Sequence, residues 1–491
     1  MSDSSSIFSS STSSEDSVVK FKFSETKSTI LSKWIITDYL KEQRKAGRLV
    51  EVPLATANLV ASALESTVSL KSVKKNEVFA SNKLQSITLN EAVQAANKLC
   101  EQVKNDFGIP GLVVSVSVDG IPAYQKGFGY ADIENHIPCK SNTVMRIASI
   151  SKSITMAVVA KLFQEGNLSF DKPVQDYVPE FPEKHFNGEK AEITLRHLLS
   201  HLSGIRHYEK VTALVETSVE TPSTVSVPDS SENKTQDAKL KNEYGNQEFL
   251  LNSYFDSVSK SLALFKDDEL FYKPGMKYHY TTHGWTLVSA VVENVVKISF
   301  PTYMKTFFHE MGLKNTYLDE NKPIIYNRAK YYIRNASGRL ENAPHVDNSY
   351  KWAGGGFLST CDDLVKFGNA MLYSYQNSNG FLHRDTVKMI WTPVPNTNHA
   401  SDKDGKYGMG WGVILSQNNY AFCKSNQFYV SHSGGAAGAS SVLLILPRTD
   451  EAVTGDKPVR GIVVSMIANL QNVGLHRTAL EIAKVFESVT D

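Results

Sequence analysis

The sequence predicts an α+β domain over residues 86–491 whose sheet takes its strands from both ends of that stretch. Three observations predict it. A helical pattern followed by a hairpin pattern runs from Thr88 to Tyr130, and two strand-like runs, Ser440–Leu446 and Gly461–Ile467, are followed by a helical pattern over 474–487. Between these ends, Arg146-Ile147-Ala148-Ser149-Ile150-Ser151-Lys152 opens a long apolar-periodic helix.

In chain order, residues 1–17 are mostly serine with Asp3, Glu15 and Asp16, too polar to bury a core, and are expected to be disordered. Residues 28–64 hold short apolar clusters (Ile30, Leu31, Trp34 to Ile36, then Leu54 to Leu64) joined by the basic Lys41 to Arg48, and are expected to form one or two helices. Residues 1–85 therefore read as a partly disordered N-terminal extension. Thr88 is a good N-cap for a helix with Leu89, Ala92, Val93, Ala96, Leu99, Cys100 and Val103 at helical spacing. Gly111 to Val118 is rich in β-branched residues, Asp119-Gly120 is hairpin chemistry, and Ile121 to Tyr130 returns. The run Ile154, Met156, Ala157, Val158, Ala160, Leu162, Phe163 ends at Gly166, a suitable C′ residue. From 212 to 247 the composition shifts to Ser, Thr, Glu, Lys and Asn, the profile of a surface insertion. Phe271-Tyr272-Lys273-Pro274-Gly275 is a turn leading to Tyr278-His279-Tyr280-Thr281-Thr282 and a helix-like run from Trp285 to Val296.

Composition excludes some function classes. Lys+Arg 52 against Asp+Glu 51 leaves a net charge of +1, so no nucleic-acid or anionic-membrane partner is indicated. The four cysteines, Cys100, Cys139, Cys361 and Cys423, are widely spaced with no Cys-x-x-Cys pair, which favours reduced thiols in an intracellular compartment. No run approaches the roughly 20 apolar residues of a transmembrane helix, and the N-terminus has neither a secretory layout nor the arginines of a mitochondrial transit peptide.

Ser149 and Lys152 share a helix face, and partial burial lowers an amine's pKa, so Lys152 can accept the serine's proton while the helix N-terminus favours an oxyanion. The pattern alone says little, since about two Ser-x-x-Lys matches are expected by chance in a chain this long. Ser17/Lys20, Ser24/Lys27, Ser72/Lys75 and Ser257/Lys260 also fit it, yet none opens a long apolar helix. Tyr280, beside a cationic lysine, would have its phenol pKa lowered and could pass a proton to a leaving group; alone it reads as a packing residue. In Val430-Ser431-His432-Ser433-Gly434-Gly435, an edge strand over 431–434 would let a substrate backbone approach, with the N–H groups of Gly435 and Ser149 as paired oxyanion donors. His197 and His201, four apart on one helical face, and His279 and His283 read as structural histidines, because the glutamate of His-Glu-x-x-His is missing. No metal or organic cofactor is expected.

The order of these motifs resembles the serine β-lactamase and penicillin-binding-protein superfamily, and within it the mitochondrial branch of the peptidase S12 group. The resemblance is carried by Val144 to Lys152, Tyr177-Val178-Pro179-Glu180-Phe181-Pro182, His201 to Tyr208, Val346 to Gly356 and Gly438 to Leu444. It covers about 86–491 except the insertion. It implies a β-lactamase/transpeptidase-like antiparallel sheet flanked by helices, an inserted helical region, and an active site between them. It further implies Ser149 as nucleophile, Lys152 as proton acceptor and Tyr280 as the second-motif tyrosine. Thr282 stands where the superfamily often has asparagine, and His432 where it often has lysine, a weaker cation at neutral pH. Gly434 and Gly435 complete the substrate-binding set. The reading is thus a serine hydrolase acting through an acyl-enzyme on peptide or small amide substrates. An esterase or lactamase, or a scaffold or regulatory assembly protein with a little-used pocket, are its rivals. The resemblance implies a mitochondrial location, with the cytoplasm as alternative, and is compatible with a homo-oligomer.

Overall fold

The computed structural model describes residues 87–208, 247–398, 405–420, 424–448 and 459–489, with the backbone of strands Ser10–Ser11, Val18–Phe21 and Leu49–Glu51. It divides into two units, Met1–Leu84 with Glu310–Gly312, and the remainder. In the first unit Val18–Phe21 pairs antiparallel with Ser10–Ser11 and parallel with Leu49–Glu51. Ser10–Ser11 stands where disorder (1–17) and Leu49–Glu51 where helices (28–64) are expected from the sequence, and Val18–Phe21 lies between those two stretches. The apolar clusters Val18-Val19 and Leu49-Val50 are too short to make a helical stripe, and their β-branched residues suit a strand. The expected insertion at 212–247 lies outside the described residues except for Gln247, which opens the short 3-10 turn Gln247–Leu250.

In the second unit helix α1 (Leu89–Phe107) begins with a capping box: the Thr88 hydroxyl accepts from the Glu91 N–H at 3.2 Å, and the Glu91 carboxylate accepts from the Thr88 N–H at 2.8 Å. Strands β1 (Gly111–Val118) and β2 (Ile121–Asp132) follow, joined by Asp119 and Gly120 at φ 50° and 81°, the two positive values a type I′ hairpin needs. After β3 (Ile137–Pro138) come the helices α2 (Ile150–Gln164), α3 (Leu195–Leu199), α4 (His283–Val296), α5 (Trp352–Gly355) and α6 (Cys361–Gln376). The chain then returns through β4 (Lys406–Tyr407), β5 (Gly412–Ile414), β6 (Tyr429–Ala436), β7 (Ala439–Pro447) and β8 (Gly461–Ala468) to α7 (His476–Glu487).

The eight strands form one antiparallel sheet in the order β4-β5-β6-β7-β8-β1-β2-β3, so the two ends of the domain meet at the β8–β1 pair, where Met466 faces Val114. The meeting continues past the sheet: Ile87 forms an isolated parallel bridge with Val489, and its N–H donates to the Ser488 carbonyl at 3.2 Å. Helices α1 and α7 cover one face, where Ala92, Ala96, Cys100, Ile482 and Phe486 pack on Leu112, Val114, Val442, Leu444, Val464 and Met466. Helix α6 covers the other. A Cβ at its Gly368 would stand 2.5 Å from Val463 Cγ1, so glycine lets this helix approach the sheet closely. With both faces covered, β7 and β8 are buried at every residue and read as near-continuous apolar runs, interrupted only by Ser440, Ser441 and Ser465, rather than as alternating ones. Each fully buried Leu, Ile or Val there contributes about 1.5–3 kcal/mol.

Helix α2 is buried on all sides from Ile150 to Ala160, as a core helix must be. The strand residue Arg146, just ahead of it, is anchored by a buried ion pair: its Nε donates to Asp319 at 2.7 Å and its Nη1 to the Ala437 carbonyl at 2.8 Å. Asp319 also accepts from Arg328 and, at 2.5 Å, from the Asn348 amide. Asp319→Ala would leave a buried guanidinium without its counter-charge, so a loss of about 3–5 kcal/mol is expected in denaturant unfolding, whereas loss below about 1 kcal/mol would show that the pair is dispensable.

Candidate active site

The serine turn is built by the sheet. The Ile147 N–H donates to the Phe357 carbonyl at 3.1 Å, and the Ile147 carbonyl accepts from Ser441 Oγ on β7 at 2.8 Å. Ala148 follows with φ 48°, a left-handed conformation that an L-residue adopts at a cost of about 1–2 kcal/mol. Ser149 then occupies the N-cap position of α2 with φ −66°, ψ −9° and no side-chain capping bond. Its hydroxyl is therefore not spent on the helix, unlike an ordinary capping serine. Ser149 is half-buried, whereas Lys152, one turn on, has no exposed surface.

The Lys152 ammonium nitrogen lies 3.2 Å from Ser149 Oγ, 3.3 Å from Thr282 Oγ1 and 2.5 Å from the Gly354 carbonyl oxygen, with the Tyr280 ring centroid at 4.8 Å. Burial, and then the nearby charge of Lys351, hold its pKa well below the ordinary lysine value. The Gly354 carbonyl was not singled out from the sequence. Glycine is required there, because a Cβ would stand 2.5 Å from Thr282 Cγ2. Thr282 is the N-cap residue of α4 but makes no side-chain capping bond, which leaves its hydroxyl to the lysine.

Tyr280 differs from the sequence expectation. Its phenol pKa is raised, not lowered: burial dominates, and a hydrogen bond with Ser149 only partly opposes it. The cause is the burial of the phenol, which penalises the charged phenolate more than its neighbours stabilise it.

Two histidines hold the tyrosine's segment in place. The Thr281 N–H donates to His201 Nδ1 at 3.1 Å and the Thr282 N–H to His207 Nδ1 at 3.2 Å. The His201 ring packs on Tyr280 at 4.1 Å between centroids, and burial pushes the His207 pKa down to about 2, so His207 stays a neutral acceptor. His201 does not share a helical face with His197. Helix α3 ends at Leu199 and His201 has φ 60°. His197 instead closes a capping box with Thr194, and His283 meets Glu248 at 3.1 Å. Among the described residues no group of three or more His, Cys, Asp or Glu side chains is gathered to hold a metal.

His432 on β6 joins the cluster through Tyr407, which was not singled out from the sequence. The Tyr407 hydroxyl lies 2.8 Å from His432 Nε2, His432 Nδ1 lies 2.8 Å from the Ser433 carbonyl, and the Tyr407 ring packs on His201 at 4.9 Å. The missed signal is weak: Lys406–Tyr407 is a two-residue strand with no pattern of its own. Strand β6 pairs with β5 only over Tyr429, Val430 and Ser431, so among the described residues its half from His432 onward is an edge, longer than the 431–434 expected.

Gly434 and Gly435 point to opposite sides of that edge. A Cβ on Gly434 would meet Ser441 Oγ at 2.3 Å and the Ile147 carbonyl at 2.4 Å, so this glycine lets the strand close on the serine turn. A Cβ on Gly435 would meet nothing within 4 Å. Gly434→Ala is therefore expected to lower stability by about 1–3 kcal/mol, and Gly435→Ala to fold normally, as read by melting temperature.

A half-buried serine on a helix start, a buried lysine on its hydroxyl, a tyrosine above both and a glycine-rich edge strand define a β-lactamase-like serine site. The chain belongs to this family: the Beta-lactamase family model matches residues 92–485. Over 444 residues it is 47% identical to the Serine beta-lactamase-like protein LACTB, mitochondrial, of Mus musculus, covering 81% of each chain. In fold it is similar to an octameric penicillin-binding protein homologue from Pyrococcus abyssi, with a TM-score of 0.61, 22% identity, and 81% and 78% of the two chains covered. EstCE1, a hydrolase with promiscuous acyltransferase activity, matches with a TM-score of 0.62, 20% identity, and 81% and 98% covered.

Proposed function

We propose that the protein is a serine hydrolase that cleaves peptide or other amide bonds through an acyl-enzyme on Ser149. The observation that carries the reading is the Lys152 nitrogen, fully buried and 3.2 Å from Ser149 Oγ. As Ser149 Oγ attacks the substrate carbonyl carbon, its proton passes to the neutral Lys152 amine. The carbonyl oxygen takes the electron pair and is held by the Ser149 and Gly435 N–H groups. The C–N bond then breaks, and the leaving nitrogen takes a proton from Tyr280, whose raised pKa keeps its hydroxyl protonated in the resting site, with Lys152 replenishing it. Water, deprotonated by the same pair, releases the acid and restores Ser149. Thr282 orients the lysine, and His432 with Tyr407 lines the strand side of the cleft.

The test is intact-mass measurement after exposure to a fluorophosphonate or β-lactam probe, followed by release rates for matched amide and ester substrates. One adduct per chain and turnover of the amide support the reading. Ester turnover alone would favour the esterase reading, and no adduct would leave a binding protein with an unused pocket. Gly435→Ala should slow acylation by about 10- to 100-fold without loss of folding, since it crowds the donor side of the cleft. A mitochondrial location is supported by the names of the mouse relative and its equivalents, and a homo-oligomer by the octameric homologue.

A further inference from the structure

A second buried lysine stands behind the first. Lys351 is 5% exposed, and its ammonium nitrogen lies 4.7 Å from the Phe249 ring centroid, 4.9 Å from that of Tyr350 and 5.2 Å from that of Tyr208. The Phe249 carbonyl accepts from it at 3.4 Å. Three ring faces and one carbonyl make a cage that suits a cation. Lys351 is the residue immediately before α5, the short helix whose Gly354 carbonyl accepts from Lys152. One segment thus offers Lys152 both an acceptor for its N–H and a nearby positive charge.

We propose that Lys351 is a positioning residue for acylation: its caged ammonium disfavours a second charge on Lys152 and so keeps that amine free to accept the Ser149 proton. The inference rests on the reading of Lys152 as proton acceptor. Burial, helped by Arg146 and opposed by Asp319, brings the Lys351 pKa down to about 7, so its charge grows in as pH falls through neutrality. The other groups around it do not duplicate this charge. Asp319 is paired with Arg146 and Arg328, and Glu248 with Arg206 and His283. Burial keeps His207 neutral and the Tyr208 and Tyr350 phenols protonated. Repulsion between two buried ammonium groups is screened far less than between surface charges.

The experiment is the pH dependence of acylation by a fluorophosphonate probe in the full chain, for the parent, Lys351→Met and Lys351→Arg. Without the charge, Lys152 protonates at higher pH, so the acid limb of the Lys351→Met profile is expected to move up by about one pH unit. Acylation then falls about tenfold at pH values below the parent's acid limb and stays within about twofold on the alkaline plateau. Lys351→Arg keeps a cation and should keep the parent's acid limb. Superimposable Met and parent profiles would overturn the proposal, because a merely structural lysine would lower rate or stability at every pH alike. Should either variant fold poorly, 13C-lysine NMR of Ser149→Ala and of Ser149→Ala/Lys351→Met follows the Lys152 titration directly, and an unmoved titration overturns the proposal equally. Lys152→Met separates the two levels: full acylation in that variant sinks the proton-acceptor reading itself. If it acylates poorly and Lys351→Met leaves the profile unmoved, only the role of Lys351 falls.

Discussion

Ser149→Ala is expected to abolish covalent labelling and to lower hydrolysis by about four orders of magnitude or more, while the melting temperature stays within about 2 °C of the parent. The two halves of that expectation come from one fact: the hydroxyl does not cap the helix and meets Lys152 and Tyr280 instead. Removing it costs the fold little and the chemistry its nucleophile. The contrast with Ser257/Lys260, which fits the same four-residue pattern, shows why only one serine should react. Ser257 Oγ accepts from the Lys260 N–H at 3.3 Å as an ordinary cap, and the Lys260 ammonium is exposed and paired with Asp256 at 2.6 Å. Labelling that persists in the alanine variant, or a loss of only a fewfold, would remove Ser149 from the reaction.

Lys152→Met should lower acylation by about 100-fold or more at neutral pH. Its effect on stability is the sum of two opposed terms. A lysine whose folded pKa lies below its unfolded value must release its proton to fold, so between those two pKa values the folded state is disfavoured, increasingly as pH falls; methionine removes that penalty. Methionine also leaves the Gly354 carbonyl without its 2.5 Å partner, at about 1–3 kcal/mol. The net change is expected within about 2 kcal/mol of the parent, and the variant's relative stability should improve as pH falls. Arginine is a poorer probe, since its guanidinium is bulkier than the fully buried ammonium it would replace. Near-normal acylation by a folded methionine variant would show that the proton goes elsewhere.

Much of this was legible in the residues themselves. The Thr88 cap, the Asp119-Gly120 turn, strands β1, β7 and β8 and the helix behind Ser149 are all local patterns, set by periodicity and turn chemistry that need no partner. Ser149, Lys152, Tyr280 and Thr282 carry motif spacing, and the fold brings those four together. What was not legible depends on long-range packing. Lys351 and Gly354 stand in the Val346 to Gly356 stretch that carries the resemblance but had no role there, and Tyr407 lies in no motif; all three reach the site from segments about 200 residues or more beyond Ser149. The sign of the Tyr280 shift was missed for a related reason: it is set by how deeply the folded chain buries the phenol, which no local pattern shows. His201 looked like the fifth position of a helical pair, but the helix stops two residues earlier and the chain turns left-handed to put its ring against Tyr280.

The bridge between Ile87 and Val489 makes the domain a closed loop with a seam. A polypeptide whose ends touch can be joined there by a short linker and reopened elsewhere, or spliced as one module into a loop of another protein, without changing the order of strands in the sheet. It also means that segments added before residue 87 or after 489 leave from the same spot. A circular permutant of residues 87–489 joined across the seam should keep the Ser149 turn as it is.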